Sequence, residues 1–155
     1  MRGFGCFEQP CDIDGDRVAV PGDRPLGDQQ RLAIFADEID ARNRVAARYN
    51  EQLAGHVASV PFVMEGGVSV WAQYTIEHDN RAGLQAHLKE KGVPSAVYYP
   101  IPIHKQDIYS RYPLGPGGLP VSEEKAERVV SLPMHPYLDE ETQDQVIDAV
   151  RSFNG

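Results

Sequence analysis

A run of apolar residues at helical spacing dominates the first half of the chain and constrains its fold most. In the segment QQRLAIFADEIDARNRVAARYNEQLAG, these residues recur three, four or seven positions apart: Leu32, Phe35, Ile39, Ala46, Tyr49 and Leu53. Such spacing places them on one face of an α-helix. Gly55 then stands where a C-terminal cap is expected. The pattern predicts a long amphipathic helix over residues 29–54.

Shorter segments that alternate in type follow this helix. Residues 69–78, SVWAQYTIEH, show the period of two that is typical of a half-buried strand. The elements predicted after it are a helix capped by Asn80 and ended by Gly92, a strand SAVYY, a helix over residues 120–130, an extended piece VVSLP, and a final helix DEETQDQVIDAVRSF. Interleaved helices and strands predict an α+β fold, in which a small, approximately three-stranded sheet carries helices on one face.

The first 28 residues differ in composition from the rest of the chain. They are crowded with Gly, Pro, Asp and Arg, and they show no sustained period of 2 or 3.6. This composition favours loop or disorder, because little apolar surface is available to offset the entropy of ordering. We therefore expect a disordered segment over residues 1–28 and a folded domain over residues 29–155.

Charge and composition exclude several classes of partner. The net charge is -8 and the pI is near 5.0, with basic residues scattered among acidic ones. Nucleic acid and anionic membrane surfaces are therefore not expected partners, and no apolar run is long enough to span a bilayer. Cys6 and Cys11 are the only cysteines and no secretory leader is visible, which favours a reducing cytoplasm.

Metal-ligating residue types occur without the spacing that a metal site needs. Asp12, Asp14 and Asp16 copy the alternating acids of a calcium loop, but Arg17 replaces the required glycine. The histidines show neither the spacing of a helical zinc pair nor nearby cysteines; they are His56, His78, His87, His104 and His135. We expect no metal site.

The stretch AVYYPIPIHKQDIY, residues 96–109, is the strongest candidate for a binding site. Pro100 and Pro102 fix their own φ angles and push the residues before them toward extended geometry, so this loop is stiff. A stiff loop presents its side chains at fixed positions, as the lining of a pocket requires. In the structural alternative, the tyrosines pack in the core and His104 bonds a backbone carbonyl.

Four segments occur in one order between residue 29 and the end of the chain. They are IFADEIDARNRVAARYNEQL, WAQYTIE, LQAHLKEKGVPSAVYYPIPIHKQDIY and SLPMHPYLDEETQDQVIDAV. In this order they resemble the C-terminal small domain of the DegT/DnrJ/EryC1/StrS family, pyridoxal-phosphate-dependent aminotransferases that act on nucleotide-linked keto sugars. Each segment alone is a weak signal, whereas four in register are specific. The resemblance implies the small-domain fold of fold-type I enzymes that use this cofactor.

The resemblance also implies roles for the loop. It assigns a substrate pocket to Tyr98, Tyr99, His104 and Gln106, in the segment that closes over the mouth of the active site. These residues would shape a pocket for the sugar nucleotide and would not run the reaction, so no catalytic residue is assigned. Histidine can both give and accept a hydrogen bond, and tyrosine offers an apolar face with a polar tip.

The cofactor lysine of the family is not matched in this chain. The resemblance implies a Schiff-base lysine in a large N-terminal domain, and that domain is missing here. Lys105 is the one lysine in the candidate loop, and we interpret it as a solvated loop lysine because a cofactor lysine needs burial or a neighbouring cation. We therefore expect no pyridoxal phosphate to bind to this chain alone.

Two functions of different classes follow from these patterns. In the first, the chain is a truncated aminotransferase, inactive alone, whose parent uses a sugar nucleotide, an amino-acid donor, and a homodimer partner or the missing large domain. In the second, it is a freestanding module that binds a ligand or partner without catalysis. A metal-dependent enzyme using the histidines is a third candidate. Whether the chain is itself an enzyme stays open at this point.

Overall fold

The elements of the chain alternate between helix and strand after one long leading helix. The computed structural model describes residues 28–154, with the backbone alone for residues 28–33. The elements in chain order are α1 (Asp28–Leu53), β1 (Tyr74–Glu77), α2 (Arg81–Glu90), two single 3₁₀ turns (Ile103–Lys105 and Asp107–Tyr109), α3 (Pro120–Arg128), β2 (Val129–Leu132) and α4 (Glu140–Arg151). This order confirms the mixed α+β class predicted from the sequence.

Helix α1 begins and ends one residue before the helix that the sequence pattern predicts over residues 29–54. It ends at Leu53, and Gly55 follows with φ at +81°, a conformation that glycine adopts without a Cβ penalty. Ala46, Tyr49 and Leu53 are buried at the predicted spacing. The expectation of disorder over residues 1–28 lies outside the described residues, except at Asp28, where α1 begins.

The sheet among the described residues has two strands, so the expectation of about three is wrong. Strands β1 and β2 pair antiparallel, with Tyr74 opposite Leu132. The predicted strand SAVYY contributes one isolated bridge, in which Ala96 and Ser131 exchange both backbone hydrogen bonds. Within SAVYY the next hydrogen-bonded pair of that ladder would join Tyr98 to Val129, but the amide of Val129 instead donates to the carbonyl of Lys125 at the end of α3.

Strand β1 is shorter than predicted, because the chain is not extended at its expected start. Trp71 has φ at +48°, which is left-handed and incompatible with a strand. The alternation of buried and half-buried residues therefore begins at Tyr74. Val70, which the period-two pattern places on the same face as Tyr74, is 49% exposed. The indole of Trp71 is buried, and its Nε1 donates to Oδ1 of Asn43 in α1 at 2.8 Å.

Three aromatic rings join α1 to β1, and we call them the core cluster: Tyr49, Trp71 and Tyr74. The Tyr74 ring lies 4.8 Å from that of Tyr49 and 5.8 Å from that of Trp71. The Tyr74 hydroxyl donates to Oδ1 of Asn50 at 2.7 Å, and the Tyr49 hydroxyl donates to the carbonyl of Pro133 at 3.1 Å. Each buried polar tip of the cluster therefore has a partner.

Helices α2 and α4 complete the core of the unit that extends from Ile39 onward. Their fully or nearly fully buried apolar residues are Leu84, Leu88, Val146, Ile147 and Val150. Asn80 caps α2 by accepting from the amide of Gly83 at 3.0 Å, as predicted. Asp139 caps α4 by accepting from the amide of Thr142, and this hydrogen bond lowers the pKa of the Asp139 carboxyl. Among the described residues, no helix is both long and apolar enough to cross a membrane.

Candidate functional site

An open hollow of about 890 Å³ lies against the proline-containing loop and α3. Its lining is mainly apolar and aromatic, with a few polar groups: Tyr98, Tyr99, Ile101, Pro102, Ile103, His104, Gln106, Tyr109, Tyr112, Leu114, Leu119, Ser122, Lys125, Ala126 and Val129. Binding sites for small molecules commonly combine such a lining with a few convergent polar groups. The structure thus brings the four residues assigned by resemblance to one concave surface.

Pro102 has the backbone geometry that the sequence predicts for a proline of this loop. Pro102 has φ at -56° and ψ at 146°, and the first 3₁₀ turn begins directly after it. Gln106 is again extended, with φ at -78° and ψ at 138°, and it separates this turn from the second one. The Nε2 of Gln106 donates to the carbonyl of Ile101 at 3.4 Å, which spans the first turn. Extended residues therefore alternate with single turns along this loop. As a result, His104 and Gln106 both line the hollow.

The two adjacent tyrosines of the loop lie at the surface. Tyr98 is 48% exposed and Tyr99 is 74% exposed, and their rings meet edge to face at 6.0 Å. The alternative in which these tyrosines pack in the core is therefore wrong. Sequence patterns did not indicate that the peptide bond joining them is cis.

A carboxylate that the sequence analysis did not single out holds His104. The Nε2 of His104 lies 3.1 Å from Oε1 of Glu123 in α3, and Nζ of Lys105 lies 2.5 Å from Oε2 of the same residue. Hydrogen bonds from Lys105 and, secondarily, from His104 hold the pKa of Glu123 below its usual value. A carboxylate can only accept, so Nε2 of His104 donates. The alternative of a backbone carbonyl partner for His104 is wrong.

A second carboxylate binds the lysine that lines the hollow. Both oxygens of Glu77, at the end of β1, lie 2.7 Å from Nζ of Lys125. Glu77 lies in the strand that the sequence predicts over residues 69–78. No local pattern connects it to Lys125, which is 48 residues away along the chain.

The four lysines of the chain do not fit the role of a cofactor lysine. Lys105 and Lys125 are about half exposed, and each ammonium group lies against a carboxylate and not against a second cation. Lys89 and Lys91 are exposed at the end of α2. A Schiff-base lysine needs a neutral amine, which burial or a neighbouring cation provides. These lysines therefore do not offer the amine that pyridoxal phosphate requires.

Metal-ligating side chains do not converge in the part of the chain that the structure describes, where no group of three could hold an ion. The candidate calcium loop with Asp12, Asp14 and Asp16 lies outside the described residues.

Comparison with known proteins matches most of the chain to one family. The model of the DegT/DnrJ/EryC1/StrS aminotransferase family matches residues 28–151. This range includes the loop, α3 and both carboxylates that bind cations at the hollow.

Individual relatives match over the same part of the chain. A UDP-2-acetamido-2-deoxy-3-oxo-D-glucuronate aminotransferase of Pseudomonas aeruginosa is 47% identical over 70% of this chain, which spans 30% of that relative's length. Among solved structures, a DegT DnrJ EryC1 StrS aminotransferase from Brucella abortus is 51% identical, with a TM-score of 0.78 over 82% of this chain and 34% of the other. The protein ntda from Bacillus subtilis, solved with bound cofactor pmp, is 31% identical, with a TM-score of 0.65 over 78% of this chain and 29% of the other.

Proposed function

Because the chain belongs to the DegT/DnrJ/EryC1/StrS aminotransferase family, we propose that it is the C-terminal part of a pyridoxal-phosphate-dependent aminotransferase that acts on a nucleotide-linked keto sugar. Residues 29–155 form its small domain in this proposal, and an amino-acid donor supplies the amino group. The cofactor lysine belongs to a separate large domain, because none of the four lysines here fits that role. The chain alone is inactive and works in the cytoplasm, with the large domain or a second subunit as its partner.

The hollow is the observation that carries this proposal. Tyr98, Tyr99, His104 and Gln106 share its surface with Ser122, so hydroxyl, amide and imidazole groups converge on mostly apolar walls. Sugars offer hydroxyl groups for such donors and acceptors, and the apolar face of a sugar ring stacks on exposed tyrosine rings. The four residues position the sugar in this proposal and take no part in bond making.

A chimera tests this function directly. Residues 28–154 replace the matching C-terminal part of the Pseudomonas aeruginosa relative, and amino transfer to that relative's substrate is measured. We expect an active chimera, in which His104→Ala raises KM at least about tenfold, as the loss of a well-placed hydrogen bond does. Lys89→Ala, at an exposed position far along the sequence from the hollow, is the matched control and leaves KM unchanged. A folded chimera that binds the cofactor but transfers no amino group would contradict the proposal.

The freestanding binding module remains a second candidate, because one observation favours it. Every residue that lines the hollow lies between positions 98 and 129, so the hollow exists without another domain. If the chain is such a module, UDP-N-acetylglucosamine binds to it alone and shifts the backbone amide signals of the loop in NMR spectra. If the hollow needs a large domain, the same titration leaves these signals unchanged.

A further inference from the structure

Basic side chains lie in and beside the hollow, and each is paired with a carboxylate of the chain. Among the described residues that line it, the basic ones are His104 and Lys125, and Lys105 lies next to His104 in the same 3₁₀ turn. Basic side chains beside an open, polar-rimmed hollow would ordinarily indicate a site for phosphate or carboxylate. The partners of these side chains decide whether such a site exists.

Two carboxylates bind all three basic side chains. Glu123 approaches the turn from α3, with one oxygen 3.1 Å from Nε2 of His104 and the other 2.5 Å from Nζ of Lys105. Glu77 reaches Lys125 from β1 with both oxygens at 2.7 Å. An anion entering the hollow would therefore meet the Lys125 ammonium already paired with Glu77, beside Lys105 already paired with Glu123. Each carboxylate offsets the attraction that its lysine would exert on the anion.

From this arrangement we infer that Glu77 and Glu123 determine the specificity of the hollow by excluding phosphate and carboxylate groups, so that an uncharged, hydroxyl-bearing part of a ligand enters it. The inference rests on the proposed function for the identity of that ligand. A nucleotide sugar then places its sugar ring against the tyrosines, and cations outside the hollow hold its diphosphate and any carboxylate.

Glu123 also fixes what His104 offers to the ligand. Because the carboxylate accepts the Nε2 proton, Nδ1 is the ring nitrogen of His104 that is left for a ligand, and in the tautomer with its proton on Nε2 it accepts a hydrogen bond. Such an acceptor suits a hydroxyl group and repels a phosphate oxygen. Glu123 is thus a positioning residue that acts through His104, in addition to balancing the charge of Lys105.

Inorganic pyrophosphate is the probe that tests the charge balance. It is titrated into the complete chain at low ionic strength, and the backbone amide signals of residues 98–106 are followed by NMR. The wild-type protein shows no saturable change at these signals. Glu123→Gln frees Lys105, and Glu77→Gln frees Lys125, so either variant gains saturable binding, stronger than wild type by at least about tenfold and weakened by added salt.

Glu124→Gln is the matched control, because it changes the net charge equally on the same helix. Its carboxylate pairs with Arg128 at 2.8 Å, and Arg128 does not line the hollow, so the variant frees neither Lys105 nor Lys125 and gains no binding there. Adding Lys105→Met to Glu123→Gln removes the gained binding. If Glu77→Gln does not fold, the Glu123 variants alone carry the test.

Two results would overturn the inference. One is saturable binding of pyrophosphate to the wild-type hollow as tight as in the glutamine variants, and the other is an equal gain in Glu124→Gln. The titration needs neither cofactor nor amino transfer, whereas the chimera needs both. Failure of the inference and failure of the proposed function are therefore distinguishable.

Discussion

Two groups of aromatic residues in this chain have opposite surroundings. The core cluster, Tyr49, Trp71 and Tyr74, is buried, and each hydroxyl or indole N–H has a partner within the chain. The second group, which we call the loop tyrosines, lines the hollow and is between 42% and 74% exposed: Tyr98, Tyr99, Tyr109 and Tyr112. The same residue type thus contributes to stability in one place and presents a surface for binding in the other. The difference lies in which neighbours the fold supplies, so substitutions should separate the two groups.

The largest expected difference comes from removing a whole ring. Tyr74→Ala deletes a fully buried aromatic side chain and leaves a cavity, so the free energy of unfolding should fall by about 3 to 5 kcal/mol. Tyr99→Ala, at a mostly exposed position, should change it by less than about 0.5 kcal/mol. Urea denaturation of both variants measures the contrast. Similar losses in the two variants would show that the loop tyrosines are packed in solution.

A smaller effect is expected from removing a hydroxyl group alone. Tyr74→Phe keeps the ring and leaves Oδ1 of Asn50 without its 2.7 Å hydrogen bond, so the free energy of unfolding should fall by about 1 kcal/mol. Tyr98→Phe should leave stability unchanged, because no residue between positions 28 and 154 forms a hydrogen bond with that hydroxyl. Adding Asn50→Ala to Tyr74→Phe should cost less than the sum of the two single changes, and strict additivity would contradict a coupled pair.

Alkaline pH should act on the core cluster through its hydroxyl groups. Burial raises the pKa of Tyr49 and of Tyr74 above the usual value of 10.0. A raised pKa in the folded state means that stability is complete below about pH 10 and falls as pH rises further, because the unfolded chain releases these protons first. Thermal unfolding between neutral pH and pH 11 follows the loss. Tyr49→Phe should weaken this pH dependence, and an unchanged slope would argue against burial of its hydroxyl.

The smallest effect is expected at His135. Burial lowers its pKa, with nearby Arg42 contributing and Asp139 opposing. A lowered histidine pKa gives stability that is present above about pH 6.5 and is lost as pH falls below it. His135→Gln should therefore flatten the dependence of melting temperature on pH between about 7 and 5. The matched variant His56→Gln, at an exposed position, should leave that dependence as it is.

Exposed isoleucines near the loop tyrosines can be compared with the buried Trp71 of the core cluster. Ile101, Ile103 and Ile108 are each more than half exposed, and such a surface promotes dye binding or association. Ile108→Asn should reduce binding of a hydrophobic dye without loss of stability. Trp71, which the sequence places on a strand face, belongs to the core cluster instead, so Trp71→Ser should destabilise the fold.

Local periodicity predicted a large part of this fold. The approximate extent of α1 and the caps at Asn80 and Gly55 follow from residues within two or three turns of one another. Trp71 is the exception, since no local pattern indicates a left-handed tryptophan. The extra strand was predicted because SAVYY has suitable propensity. Its next partner, Val129, gives its amide to the carbonyl of Lys125, and that contact is visible only once the register is known.

Some features of the candidate site also follow from the sequence, whereas others are visible only in the tertiary structure. The sequence by itself determined the family, because ordered motifs are properties of nearby residues. The substrate role that the resemblance gives to Tyr98, Tyr99, His104 and Gln106 stays a prediction. Only the tertiary structure decided that Glu123 binds His104 and Lys105 and that Glu77 binds Lys125. These partners are 19 and 48 residues apart in two of the pairs, and charge pairing has no periodicity that a sequence displays. Such contacts depend on how α3 and β1 pack beside the loop, so the charge of the hollow is a property of the fold.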